Sequence, residues 1–125
     1  MKKIVQSENA PKPIGPYSQA VAARNFLFVS GQIAIDPKKG KIVASNIKTQ
    51  TRQVLDNIKS ILQAADCDLK DVVQANVYLS SLALFSEFNN IYSSYFLTAY
   101  PARTTVETKL PLGALVEISV VVLRE

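Results

Sequence analysis

The chain has 125 residues, of which 48% are hydrophobic and 19% charged, with a net charge of +4 and no histidine. This size and composition indicate a single globular domain over residues 1–125, without repeats or low-complexity segments. The missing histidine excludes Ser-His-Asp and Cys-His nucleophilic sites and histidine-bearing zinc sites, so catalysis must use Arg, Lys, Asp/Glu, Tyr, Ser/Thr, Asn/Gln and water.

The N-terminus starts with Met1-Lys2-Lys3 and continues with polar residues, unlike the apolar segment of a signal peptide. The richest apolar run, residues 120–123, is too short to cross a bilayer. The single cysteine, Cys67, cannot form an internal disulfide and agrees with a reducing compartment. We therefore expect a cytoplasmic protein that does not bind membranes.

The first third of the chain is predicted to form short strands. Residues 19–24 and 25–30 are apolar, and residues 32–36 alternate between apolar and polar. The segment Asp36-Pro37-Lys38-Lys39-Gly40 is typical of a hairpin turn that leads into Ile42-Val43. This turn holds the densest group of lysines. We interpret its charge as a solvated turn, so the basic composition does not predict a nucleic-acid partner.

An amphipathic helix is predicted between Asn46 and Ala65, with Asn46 as its N-cap. Its apolar positions recur every three or four residues: Ile47, Thr51, Val54, Leu55, Ile58, Ile61 and Leu62. Cys67 follows this helix where a glycine is expected at a helix C-terminus. We interpret it as a packed residue and not as a reactive thiol.

A second helix is predicted over residues 82–96, with Ser81 as its cap. Apolar residues again follow the helical period: Leu84, Phe85, Phe88, Ile91, Tyr92, Tyr95 and Phe96. The many aromatic rings in this stripe favour core packing over a binding face.

Three later segments alternate in the manner of half-buried strands: residues 73–80, 103–108 and 116–123. The predicted order is β-β-β-α-β-α-β-β, an α+β fold in which two helices cover one face of a mixed sheet. On the last strand the uncovered face carries Glu117 and the strongly apolar Val121. An apolar face of this size is expected to pack against further copies of the chain.

Short sequence groups contain the candidate site residues. They are Ile14-Gly15-Pro16-Tyr17-Ser18-Gln19-Ala20, Ser30-Gly31-Gln32, Pro101-Ala102-Arg103 and Val116-Glu117-Ile118. Together with Glu8-Asn9-Ala10-Pro11 and Phe85-x-x-x-Asn89-x-x-Tyr92, they resemble the reactive intermediate deaminase A (RidA/YjgF) family, also labelled the L-PSP endoribonuclease family. The resemblance runs in register over essentially the whole chain.

The resemblance implies a chorismate-mutase-like fold of the bacillus type and a homotrimer with sites between subunits. It implies hydrolysis of 2-iminobutanoate and 2-iminopropanoate to 2-keto acids and ammonia, which protects pyridoxal-phosphate enzymes, with no cofactor or metal. The family's carboxylate-binding arginine falls on Arg103 and its water-holding glutamate on Glu117. The residues that match other positions lining the cleft are Tyr17, Ser30, Gly31, Asn89 and Thr105, the last replacing a cysteine or other small residue.

These residue types suit the implied reaction. The planar guanidinium of Arg103 can grip a carboxylate with two parallel hydrogen bonds, which lysine cannot do. Glu117 can hold a water over the imine and accept its proton. Each residue also has a structural interpretation: Arg103 as a surface residue, Glu117 as one half of a salt bridge, and Tyr17 as a core or interface tyrosine.

Two other functions remain open. The first is an RNA-cleaving translation inhibitor, but without histidine it would need metal-binding carboxylates or a Lys/Glu pair, and the sequence contains no acidic cluster at ligand spacing. The second is a regulatory protein that binds a small carboxylate without turnover. Arg103 would serve such a protein equally well, so only measured turnover separates it from an enzyme.

Overall fold

The computed structural model describes residues 1–97 and 99–125. Its strands are Lys2–Val5 (β1), Ala20–Ala23 (β2), Phe26–Gln32 (β3), Ile35–Asp36 (β4), Lys41–Ile42 (β5), Val72–Leu79 (β6), Ala102–Glu107 (β7) and Val116–Leu123 (β8). The helices are Ile47–Ala64 (α1) and Phe85–Phe96 (α2), and short 3-10 turns are formed by Leu69–Asp71, Leu82–Leu84 and Pro111–Gly113. Among the described residues, no helix combines the length and apolar character that a membrane span requires.

Six strands form one sheet in the order β1-β2-β3-β8-β6-β7, and β4 pairs with β5 in a separate small sheet. The β6 and β7 strands are parallel, whereas the other neighbouring strands of the large sheet are antiparallel. Both helices pack on the same face of this sheet, since α1 and α2 contact each other and share one hydrophobic core with it. The predicted α+β architecture is therefore confirmed.

The predicted order of elements is wrong at two places. Strand β1 was not predicted, because only Val5 of its four residues is buried and the segment lacks a clear alternation. It forms by pairing with β2 at the sheet edge. The predicted strand over residues 32–36 is divided, because β3 continues to Gln32 and only Ile35–Asp36 pair with β5.

Two details of the predicted elements also differ. A bulge between Val72 and Gln74 shifts the register of β6, so that Val72 is buried and Val73 is exposed, against the predicted alternation. At the second predicted helix, Ser81 caps as expected by accepting a hydrogen bond from Ala83 N at 3.2 Å. It caps the 3-10 turn Leu82–Leu84, however, and α2 begins only at Phe85.

The sheet face away from the helices is half apolar, as predicted from β8. Phe26, Phe28 and Leu123 are exposed there, and Val121 is half-buried. These side chains lie next to one another, because Phe26 pairs with Leu123 and Phe28 with Val121. We call this face, which runs from β1 across to β7, the open face.

Helix α1 anchors the loops around the candidate site. Its seven predicted apolar-face residues are all buried, and the Asn46 side chain accepts a hydrogen bond from Thr49 N at 2.9 Å, which confirms the N-cap. Two buried amides of this helix were not predicted. Gln50 accepts a hydrogen bond from Leu115 N, just before β8. Asn57 donates to the carbonyl oxygens of residues 33 and 35.

The end of α1 corrects the expectation for Cys67. The residue with left-handed backbone is Asp66, at φ 57°, followed by a buried Cys67 whose N–H donates to Leu62 O at 2.9 Å. Asp66 N donates to Gln63 O, which completes a Schellman motif. Glycine is therefore favoured one position earlier than predicted.

We expect Asp66→Gly to raise the free energy of unfolding by about 0.5 kcal/mol, because glycine adopts positive φ without a Cβ penalty. Chemical denaturation measures the change. The matched control is Ala65→Gly, because Ala65 has φ −111° and gains nothing from glycine. That control should destabilise by about 0.5–1 kcal/mol, and equal effects of the two variants would contradict the explanation.

Candidate active site

Glu117 lies in a small pocket on the open face. The pocket has a volume of about 60 Å³, enough for a few water molecules. It is lined by Pro11, Lys12, Ile14, Tyr17, Gln19, Gly31, Gln32, Ile33, Ile35, Pro111 and Glu117. Burial raises the pKa of the Glu117 carboxyl, and no cation among the described residues contributes an opposing shift. This favours a proton-accepting group over one half of a salt bridge.

Gly31 lies directly against this carboxylate. Strand β3 has a bulge there, because Val29 pairs with Val120 and Gln32 with Ile118, leaving an extra residue on β3. A Cβ on Gly31 would lie 2.5 Å from Glu117 Oε2 and 2.8 Å from its Cδ. Glycine is therefore required for the position of the Glu117 carboxylate, a reason that the sequence alone did not reveal.

We expect Gly31→Ala to push the Glu117 carboxylate out of its pocket while the fold persists, because the clash is with the end of a flexible side chain. If Glu117 acts in catalysis, turnover should fall roughly 10²-fold, which is the cost of misplacing a catalytic group by about 1 Å. The control is Gly15→Ala, where the added Cβ meets only Tyr17 at ordinary contact distance, 3.5 Å. Wild-type turnover in Gly31→Ala would contradict the prediction.

Tyr17 borders the same pocket and is half exposed. Its loop is held by Gln19, a buried residue whose side chain accepts a hydrogen bond from Ser7 N and donates to Pro11 O at 2.8 Å. Gln19 stands within the motif of residues 14–20, but no local pattern in the sequence indicated its role.

Ser30, another candidate, donates a hydrogen bond from its hydroxyl to Ser18 O at 2.6 Å. Its side chain therefore fastens this loop to β3.

Arg103 does not line the Glu117 pocket. It is a residue of β7, and its guanidinium lies against the aromatic rings of α2. Its guanidinium carbon is 4.8 Å from the centroid of the Tyr92 ring and 5.6 Å from those of Phe85 and Phe88. It lines a second pocket of about 280 Å³, which also includes Asn89. Among the residues described by the structure, no carboxylate forms an ion pair with Arg103. An unneutralised guanidinium beside a pocket can bind an anion.

Three buried polar atoms on this side of the sheet have no hydrogen-bond partner within the described part of the chain: Asn89 Oδ1, Tyr92 Oη and Thr105 Oγ1. Unpaired buried groups are costly and are frequent where a ligand or water is bound. Burial raises the pKa of the Tyr92 hydroxyl, while the nearby Arg103 charge opposes the shift. The structure thus brings Asn89 and Arg103 to one pocket and places Thr105 two residues further along β7.

Arg103 and Glu117 point to opposite faces of the sheet. Val77 of β6 pairs with Thr105 of β7 and with Ile118 of β8, so these three side chains share the helix-covered face. Arg103 precedes Thr105 by two residues on the same strand, and its side chain therefore lies on this face as well. Glu117 immediately precedes Ile118 on β8 and so projects from the open face. The two proposed catalytic residues therefore cannot meet within one chain.

No three Asp, Glu or Cys side chains within residues 1–97 and 99–125 are grouped in a way that could hold a metal ion. The chemistry available to the described residues is that of a guanidinium, a partly buried carboxylate and the water that it can hold. These groups bind carboxylates and move protons.

Known proteins and one family model match this chain over nearly its full length. A family model described as Endoribonuclease L-PSP matches residues 7–124. The chain is 53% identical over 126 residues to a RutC family protein of Pyrococcus horikoshii, covering 100% of each. It is 40% identical over 122 residues to a 2-iminobutanoate/2-iminopropanoate deaminase of Bos taurus, covering 97% of this chain and 89% of that protein. The crystal structure of a putative endoribonuclease of Thermotoga maritima superposes with a TM-score of 0.97 at 45% identity, covering 100% and 99% of the two chains.

Proposed function

This chain belongs to the endoribonuclease L-PSP family, that of the RidA/YjgF proteins, and we propose that it hydrolyses small 2-imino acids to 2-keto acids and ammonia. The substrates are 2-iminobutanoate, 2-iminopropanoate and their enamine tautomers. Two observations support the proposal together. Arg103 offers a guanidinium without an ion-pair partner among the described residues, beside one pocket. Glu117 offers a carboxylate of raised pKa in a small pocket on the opposite face of the sheet. The name of the Bos taurus relative supports the same chemistry.

Arg103 has the first task in this mechanism. Its two parallel N–H groups bind the planar substrate carboxylate and fix the position of the adjacent C=N carbon. The bound positive charge also withdraws electrons from that carbon. Asn89 borders the same pocket and completes its wall.

Glu117 has the second task. It holds a water molecule over the face of the imine and accepts a proton as the new C–O bond forms. Glu117 returns this proton to the nitrogen, which gives a tetrahedral intermediate with a hydroxyl and an amino group. The hydroxyl proton then passes to the same nitrogen as the C–N bond breaks and the carbonyl forms, so both protons of the water leave on ammonia. The raised pKa of Glu117 makes it a better proton acceptor than an exposed carboxylate. The reaction consumes one water and needs no cofactor.

A complete site must be shared between chains, because Arg103 and Glu117 lie on opposite faces of one sheet. We propose a homotrimer in which Arg103 of one subunit approaches the Glu117 pocket of its neighbour. The exposed Phe26, Phe28 and Leu123 support this assembly, since closed cyclic association buries the same apolar patch in every copy. Light scattering should give a mass three times that of the chain, and a stable monomer at micromolar concentration would overturn the shared site.

The function is tested by supplying the unstable imine in situ. A pyridoxal-phosphate dehydratase or an amino-acid oxidase generates the 2-imino acid, and added protein should accelerate release of the 2-keto acid above the spontaneous rate. Acceleration distinguishes an enzyme from a regulatory protein that only binds carboxylates. No acceleration with a correctly assembled protein would overturn the proposal.

RNA cleavage is the second candidate, favoured by the family description. The described residues offer no acidic metal cluster and the chain has no histidine, so the usual acid–base and metal routes are missing. Rigorously purified protein should therefore leave RNA intact. Cleavage that disappears in a folded Arg103 or Glu117 variant would instead favour the nuclease.

A further inference from the structure

We infer that the aromatic rings of α2, Tyr92 above all, hold the Arg103 guanidinium in the orientation in which it binds a substrate carboxylate. This inference rests on the proposed function, because it takes Arg103 as the carboxylate-binding group. Tyr92 acts through Arg103 and is a positioning residue, not a catalytic one.

The geometry supports this role directly. The Arg103 guanidinium carbon lies 4.8 Å from the centroid of the Tyr92 ring and 5.6 Å from the centroids of Phe85 and Phe88. All three distances are within the range of about 6 Å for cation–π attraction. Tyr92 and Phe88 are themselves 4% and 0% exposed, so the surface against which Arg103 packs is rigid.

Arg103 needs such a support because little else restrains it. It stands on β7, the last strand of the sheet, and no carboxylate in the described part of the chain pairs with it. A free arginine side chain samples many rotamers and loses that entropy when it is ordered. Ordering it only when the substrate arrives would weaken binding, and packing on rings removes that cost beforehand.

The ring of Tyr92 matters for this role more than its hydroxyl. The hydroxyl is buried in the lining of the pocket that Arg103 borders, and the charge of Arg103 with a hydrogen bond of poor geometry only partly offsets the burial that raises its pKa. Packing of the guanidinium over the ring does not depend on the hydroxyl. We therefore expect the position of Arg103 to be kept in Tyr92→Phe and lost in Tyr92→Leu. Phe85→Leu provides a second variant, because Phe85 is 40% exposed and its replacement costs little stability.

The matched control is Phe96→Leu. Phe96 is 5% exposed and packs against Tyr92 at a tilt of 36°, with ring centroids 4.6 Å apart, one turn further along α2. The rings that contact the Arg103 guanidinium are those of Tyr92, Phe85 and Phe88. Phe96→Leu should thus loosen the core about as much as Tyr92→Leu without removing a ring from Arg103.

The first readout is the nuclear magnetic resonance signal of the Arg103 Nε–Hε group, assigned by its loss in Arg103→Lys. Stacking over ring faces should shift this signal upfield in the wild type. The shift should shrink in Tyr92→Leu and in Phe85→Leu and persist in Tyr92→Phe and Phe96→Leu. An unchanged signal in Tyr92→Leu, or an equal loss in Phe96→Leu, would overturn the inference.

The second readout is binding of 2-oxobutanoate, the stable product, by calorimetry on the assembled protein. Tyr92→Leu should weaken binding roughly 2- to 30-fold, the range that corresponds to one cation–π contact. If Arg103→Lys loses binding but Tyr92→Leu binds normally, the inference fails and the proposed function stands. If Arg103→Lys also binds normally, carboxylate binding by Arg103 fails, whereas the resonance shift still reports on the packing of the rings.

Discussion

Replacing Arg103 by lysine should lower kcat/KM for imine hydrolysis by roughly 10²-fold or more. Lysine keeps the positive charge but loses the planar fork, so the substrate carboxylate is held by a single flexible ammonium. The imine carbon should then no longer face the water that we propose Glu117 holds, so KM should rise and kcat should fall. Coupled assays with imine generated in situ measure the loss.

The Arg103→Lys result needs evidence that the variant is folded and assembled, from circular dichroism and light scattering. Lys109→Ala is a suitable comparison, because it removes an exposed positive charge in the segment between β7 and β8. That variant should retain activity. Near-wild-type turnover by Arg103→Lys would show that Arg103 does not capture the carboxylate, and would remove the proposed mechanism with it.

Replacing Glu117 by glutamine should lower kcat by about 10²–10⁴-fold, the usual contribution of a general base. Glutamine is nearly isosteric and can still hold water, but it cannot accept a proton. Binding of 2-oxobutanoate should therefore survive much better than turnover. A variant that lost binding and turnover equally would point to a binding role for Glu117.

The pH dependence provides an independent check on Glu117. Only the ionised carboxylate can accept a proton, so kcat should fall as pH decreases through the pKa of Glu117. Because burial raises that pKa, the fall should begin at a higher pH than for an exposed glutamate. Glu117→Gln should lack this limb of the profile, and its persistence in the variant would assign it to another group.

Mixing the two inactive variants should restore activity. In a randomly mixed trimer of Arg103→Lys and Glu117→Gln subunits, a complete site needs an intact Arg103 from one chain and an intact Glu117 from its neighbour. In an equal mixture, a given site receives an intact Arg103 with a probability of one half and an intact Glu117 with the same probability. About a quarter of wild-type activity should therefore return. Arg103→Lys mixed with the double variant is the control, since no complete site can form. Equal activity in the two mixtures would place the site within one chain.

Local patterns in the sequence were sufficient to predict most of the fold. The helical period of α1 identified its buried face, and Asn46 and Ser81 identified caps, because these features depend only on residues a few positions apart. The alternation of β8 likewise placed Glu117 on the open face, which it shares with the apolar side chains further along the strand. Bulges were not predictable in this way, and the burial of Val72 instead of Val73 depends on pairing with β8.

The sequence by itself also brought the candidate residues under one family resemblance, including Arg103 and Glu117, whose shared role stays a prediction. Only the tertiary structure decided that these two residues face opposite sides of one sheet, that Gly31 makes room for the Glu117 carboxylate, and that Arg103 packs on the rings of α2. The reason is physical: strand order, bulges and helix packing join residues far apart in the chain, and no local period records which distant partner a side chain meets.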